Sequence, residues 1–77
     1  MKEKQTIVFD KEFAIDFPDR AFWLRVARSD TDIHIVELPG ALTLPEARKK
    51  ARELGYEPTH HMTFVMGGSN MEWPYYL

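Results

Sequence analysis

The sequence predicts an α+β fold, an antiparallel β-sheet of about four strands with one α-helix packed on one face. Three observations predict it. One segment shows a helix's start, apolar face and stop together, several flanking segments alternate with a period of two, and 77 residues at 44% apolar composition can fill one core but not two. A single domain over residues 1–77 follows.

The helix is expected at about 44–54. Thr43 suits the N-cap, Glu46 lies three residues on to complete a capping box, Pro45 is tolerated in the first turn, and Gly55 suits the left-handed position past the end. Leu44, Ala47, Ala51 and Leu54 form one narrow apolar stripe, and Arg48, Lys49, Lys50, Arg52 and Glu53 fill the remainder. Half of that stripe is alanine, so the helix gains most by lying very close to a flat surface, which neighbouring strands supply.

Gln5 to Phe9, rich in β-branched and aromatic side chains, reads as a first strand. Phe13, Ile15 and Phe17 alternate with Ala14 and Asp16, which predicts a second strand in a hairpin with the first. Pro18-Asp19-Arg20 is a turn. Ala21 to Arg28 has the strongest strand pattern, with Phe22, Leu24 and Val26 on one face and Trp23, Arg25 and Ala27 on the other. Ser29-Asp30-Thr31-Asp32 closes a hairpin onto Ile33 to Leu38, which Pro39-Gly40 ends. After the helix, Tyr56 to Thr59 is a connection. His60 to Met66 is a last strand with Met62, Phe64 and Met66 on one face, broken by Gly67-Gly68-Ser69-Asn70. The expected core is Ile7, Phe9, Phe22, Leu24, Val26, Ile33, Ile35, Phe64 and Met66 against Ala47, Ala51 and Leu54.

Composition narrows the function classes. The chain has no cysteine, which removes disulfides, thiolate nucleophiles and cysteine zinc sites and suits a reducing compartment. The N-terminal Met1 to Thr6 is polar, and no apolar run approaches the roughly 18 residues that span a bilayer, so the expectation is a soluble, unprocessed, cytoplasmic chain with no membrane partner. Ten basic against twelve acidic residues, a net charge of -2, exert no global pull toward a phosphate backbone.

No constellation matches an enzyme or a cofactor motif, and no cofactor is expected. His60-His61 and His34 are the only histidines; adjacent residues on a strand point to opposite faces, so no metal site is expected. Asp10, Glu12, Asp16 and Asp19 interleave with Phe9, Phe13 and Phe17. They read as a solvated edge whose charges discourage edge pairing, or as a surface that docks onto a basic groove in a nucleic-acid-handling protein. Arg48, Lys49, Lys50 and Arg52, with Arg25 and Arg28, form the local basic patch and the alternative nucleic-acid-binding set. Trp73, Tyr75 and Tyr76 close the chain, with Tyr56 and Trp23 as neighbours. Aromatics of this kind anchor interfaces, or here fold back over a small core, and Pro74 keeps the last residues extended along a sheet edge.

The hairpin containing Phe22-Trp23-Leu24-Arg25-Val26, followed by Leu42-Thr43-Leu44-Pro45-Glu46-Ala47-Arg48-Lys49-Lys50-Ala51, resembles the arm-type DNA-binding domain of tyrosine recombinases over about a third of the chain. The resemblance implies a three-stranded sheet backed by one helix, with a basic sheet entering the major groove. This sequence departs from that pattern on the implied functional surface, where Asp30, Asp32 and Glu37 stand in place of basic residues.

The function expected is a small non-enzymatic binding protein that regulates or inhibits a macromolecular partner, of the kind encoded by phages and mobile elements. Its expected protein-binding residues are Trp23, Trp73, Tyr75, Tyr76, Asp16 and Asp19. A protein partner is expected ahead of nucleic acid, and a homodimer is compatible with a domain this small.

Overall fold

A computed structural model describes residues 3–65 and 72–74. The elements are β1 (Lys4–Asp10), α1 (Lys11–Asp16), a 3-10 turn (Pro18–Arg20), β2 (Phe22–Ala27), β3 (Ile33–Glu37), α2 (Leu44–Glu53), β4 (His60–Phe64) and a short β5 (Glu72–Pro74). The strands form one open sheet in the order β3-β2-β1-β4-β5, with α2 across one face. The fold is α+β as expected, but the sheet is mixed: β1 pairs antiparallel with β2 and parallel with β4. A parallel pair needs a crossover connection, and α2, joining β3 to β4 over the intervening strands, is that crossover.

The expected second strand is instead α1. Asp10 ends β1 in an extended conformation, and its carboxylate accepts the Phe13 amide N–H at 3.0 Å, which caps a helix and turns the chain. Alternating Phe13, Ile15 and Phe17 also places Phe13 and Phe17 four residues apart, and their rings stack at 5.0 Å on one helical face. Ile15 points away and is 77% exposed.

The core lies between α2 and the sheet: Ile7, Phe22, Leu24 and Val26 below, Ala47 and Ala51 above, with Leu38 and Ala41 at one end. Burying a side chain such as Ile7 or Leu24 is worth about 1.5 to 3 kcal/mol. Four expected core residues lie elsewhere. Leu24 pairs with Val36 and Val26 with His34, so His34 and Val36 face the α2 side of the sheet, Val36 packing on the core, while Ile33 and Ile35 face the opposite side. Val8 pairs with Met62 and Asp10 with Phe64, which likewise carries Phe64 to the face away from the helix. Leu54 is the C-cap of α2 and is 57% exposed. Met66 lies outside the described residues.

The helix ends behave as read. Thr43 Oγ1 accepts the Glu46 N–H, and the two side chains are hydrogen-bonded at 3.0 Å. At the other end the Gly55 N–H donates to the Arg52 carbonyl and the Tyr56 N–H to the Ala51 carbonyl, a Schellman closure with Gly55 at φ +94°. That closure swings Tyr56, not Leu54, against the core.

Two stability outcomes are expected. Nothing within 4 Å would meet a Cβ at Gly55, so Gly55→Ala carries conformational strain alone and lowers the unfolding free energy by about 1 kcal/mol in urea titrations. Ala51 is fully buried against the sheet, so Ala51→Leu forces α2 outward and lowers stability by about 1 to 3 kcal/mol by the same measurement.

Candidate binding surface

The face of the sheet away from α2 carries the candidate site. Residues of one parity line up there: Thr6 and Val8 of β1, Trp23, Arg25 and Ala27 of β2, and Ile33, Ile35 and Glu37 of β3. Thr6 and Val8 are fully buried in the centre. Outward along β3 the covering thins, and Ile35 is 52% exposed. Beside Ile35 a groove of about 480 Å³ opens between β3 and the α1 segment, with Trp23, Phe13, Ile35, Leu38 and Pro39 as apolar walls and Asp10, Arg20 and Glu37 supplying charge. The groove's far wall is held in place by backbone: the Gly40 N–H donates to the Asp19 carbonyl at 2.8 Å, tying the 3-10 turn to the bend after β3. Gly40 has φ +85°, which glycine adopts freely.

The aromatic residues expected to act together are separated. Trp23 is half-buried in the groove wall. Trp73, 53% exposed, lies on β5 opposite His61, and therefore on the α2 face of the sheet. Three strand spacings, about 14 Å, divide the two residues in addition to the change of face. The extended course expected around Pro74 is realised as β5 along the edge of β4. Tyr75 and Tyr76 lie outside the described residues. Asp16 and Asp19 are exposed at the end of α1 and in the 3-10 turn, and Asp19 directly precedes Arg20 of the groove wall.

The basic set also divides. Arg25 belongs to the groove face, across the sheet from α2. Arg28 Nε donates to Glu3 Oε2 at 2.8 Å. Arg48 and Arg52 both approach Glu57, at 3.8 and 3.6 Å, which offsets part of the helix charge. Lys49 and Lys50 are exposed. Phe13 belongs to the acidic, aromatic segment read as a docking surface, though there on a strand, and Ile35 was expected in the core. The usable signal was the Asp10 to Phe13 capping interval, which marks Phe13 as helical and so as free of the sheet.

His60 and His61 fall on opposite faces of β4, and Thr59 Oγ1 lies 2.9 Å from His60 Nδ1. Among the described residues no three His, Asp or Glu side chains group where a metal ion could sit, and no helix is long and apolar enough to cross a membrane. No protein-family model, curated protein or solved structure matches the chain.

The Glu3 carboxyl is held below the usual carboxylate range, first by the Arg28 guanidinium and then by the Gln5 side-chain amide. A lowered carboxylate pKa stabilises the fold above the ordinary glutamate range and loses that contribution as pH falls through the lowered value. In an NMR titration Glu3 should have a midpoint below that of an ordinary exposed glutamate, and Arg28→Gln should return it toward the ordinary range. An ordinary midpoint in the unmodified protein would show that the pair does not form in solution.

Proposed function

We propose that this protein is a non-enzymatic binding module that regulates or inhibits a protein partner by docking it at the groove between α1 and β3. The observation that supports this reading is the clustering of Trp23, Phe13 and Ile35 around one open groove, with Asp10, Glu37 and Arg20 at its margin. Trp and Phe bury large areas with few torsions to freeze, and anchors of this type carry most of the energy in protein interfaces. The lining acids Asp10 and Glu37, with exposed Asp19 next to the wall residue Arg20, favour a partner that presents basic residues.

The groove and the helix face can be tested against each other. Bead-bound protein is exposed to lysate, and retained proteins and nucleic acids are both identified and quantified. A retained protein should survive combined substitution of Arg48, Lys49, Lys50 and Arg52 by glutamine. It should lose about 30-fold in affinity on Trp23→Ala, the effect of removing a residue worth about 2 kcal/mol. Retention of nucleic acid that falls steeply with salt and disappears in the glutamine variant would instead assign the function to the helix.

A further inference from the structure

The outer edge of β3 ends the sheet, and two hydrogen bonds determine which of its backbone groups face outward. The Asp10 N–H donates to the Ala21 carbonyl at 2.8 Å, which directs the backbone of Ala21, Trp23, Arg25 and Ala27 toward β1. The Arg28 N–H donates to the Asp32 carbonyl at 2.9 Å, which directs Leu24 and Val26 toward β3 and pairs them with Val36 and His34. Both bonds give the same phase. By the alternation of an antiparallel ladder, the N–H and C=O groups of Ile33, Ile35 and Glu37 then point away from β2, where no strand follows among the described residues.

The side chains add to this. Ile33 and Ile35 are both exposed on a strand that carries no lysine, proline or bulge, and whose one charged residue, Glu37, stands at its end. We propose that β3 pairs antiparallel with β3 of a second copy of this chain, about a two-fold axis at Ile35, joining the two sheets edge to edge. In that register Ile35 faces Ile35, Ile33 faces Glu37 and His34 faces Val36. The outward groups of all three residues then exchange about six hydrogen bonds, since each residue donates and accepts once.

Charge does not oppose this register. Each Glu37 meets the aliphatic Ile33, and Asp32 meets Leu38, so no acid opposes an acid. Centring the pair on His34 instead would oppose two imidazoles and leave Glu37 outside the ladder. The pairing also brings Ile33 of the second copy beside Glu37, a wall residue of the groove, and sets the two grooves on one continuous face. A contact of one short strand edge lies at the small end of specific interfaces, so the dimer is a concentration-dependent one.

The absence of cysteine allows a clean test of the register. Directly opposed residues in a hydrogen-bonded antiparallel pair have Cα atoms about 5.5 Å apart, inside the range of about 4.4 to 6.8 Å that a disulfide spans. Ile35→Cys should therefore cross-link to a dimer under mild oxidation, whereas Ile33→Cys, four rungs from its own copy, should remain monomeric. Without substitution the protein should sediment as a dimer at high concentration. Ile35→Pro removes an outward N–H and should sediment as a monomer with an unchanged far-ultraviolet spectrum. The cysteine pair decides the matter even where the proline variant fails to fold. Equal cross-linking of the two cysteine variants, or a monomer at concentrations up to about 1 mM, would overturn the proposal. Trp23→Ala leaves the β3 edge untouched, so loss of the groove function and loss of the dimer are separately visible.

Discussion

The structure depends on β1 being bonded along both edges at once. Its antiparallel ladder with β2 and its parallel ladder with β4 make Lys4–Asp10 the centre of the sheet, and Thr6, Ile7 and Val8 are fully buried in consecutive positions as a result. Gln5 sets the parallel register. Its amide N–H donates to Thr59 Oγ1, its carbonyl accepts the Thr59 N–H at 2.7 Å, and its side-chain oxygen accepts the Glu57 N–H at 2.8 Å. The chain leaving α2 is thereby docked against the start of β1 before β4 begins. A parallel pair otherwise has no tight turn to hold its register, so these bonds do what a hairpin loop does for an antiparallel pair.

That arrangement explains the alanines of α2. The helix lies over β1 and β2, where Ile7 and Leu24 already fill the volume, and only methyl groups at positions 47 and 51 allow it to approach. Larger side chains close the interface at its margins: Leu44 and Tyr56 at the two ends of the helix, Phe9 and Val36 from the strands. Phe9 and Phe22, neighbours in a pair whose backbones do not bond to each other, bring their rings to 4.9 Å. The core is small, and its members are held by close contact more than by bulk.

Among the described residues no such helix runs along the opposite face. α1 stands across the groove from Ile35, and Ile33 and Ile35 of β3 are exposed. An apolar strand edge next to an aromatic groove is a surface of the kind that marks interaction sites, because isolated folding gives no reason to leave those side chains in water. The charged residues around it, Asp10, Arg20 and Glu37, set the chemistry of what fits there.

By itself the sequence determined whatever is encoded within a few residues: the span and both caps of α2, the strand Phe22–Ala27 with its buried and open faces, and the turn at Pro39-Gly40. These are legible because capping, period-two alternation and a left-handed glycine act locally. Tertiary structure alone decided the rest. The segment after Asp10 is the exception: it satisfied both a strand pattern and a helical spacing of aromatics, and the local Asp10 cap on Phe13, three residues on, selected the helix. The burial of Ile33, Ile35, Met62 and Phe64 turned on strand register, in which a shift of one residue exchanges the faces; the β2–β3 register is set by the hairpin closure at Arg28 and Asp32, and that of β4 by bonds to β1, distant in sequence. The groove is assembled from α1, β2, β3 and the bend after it, so no single stretch of the chain carries its signature.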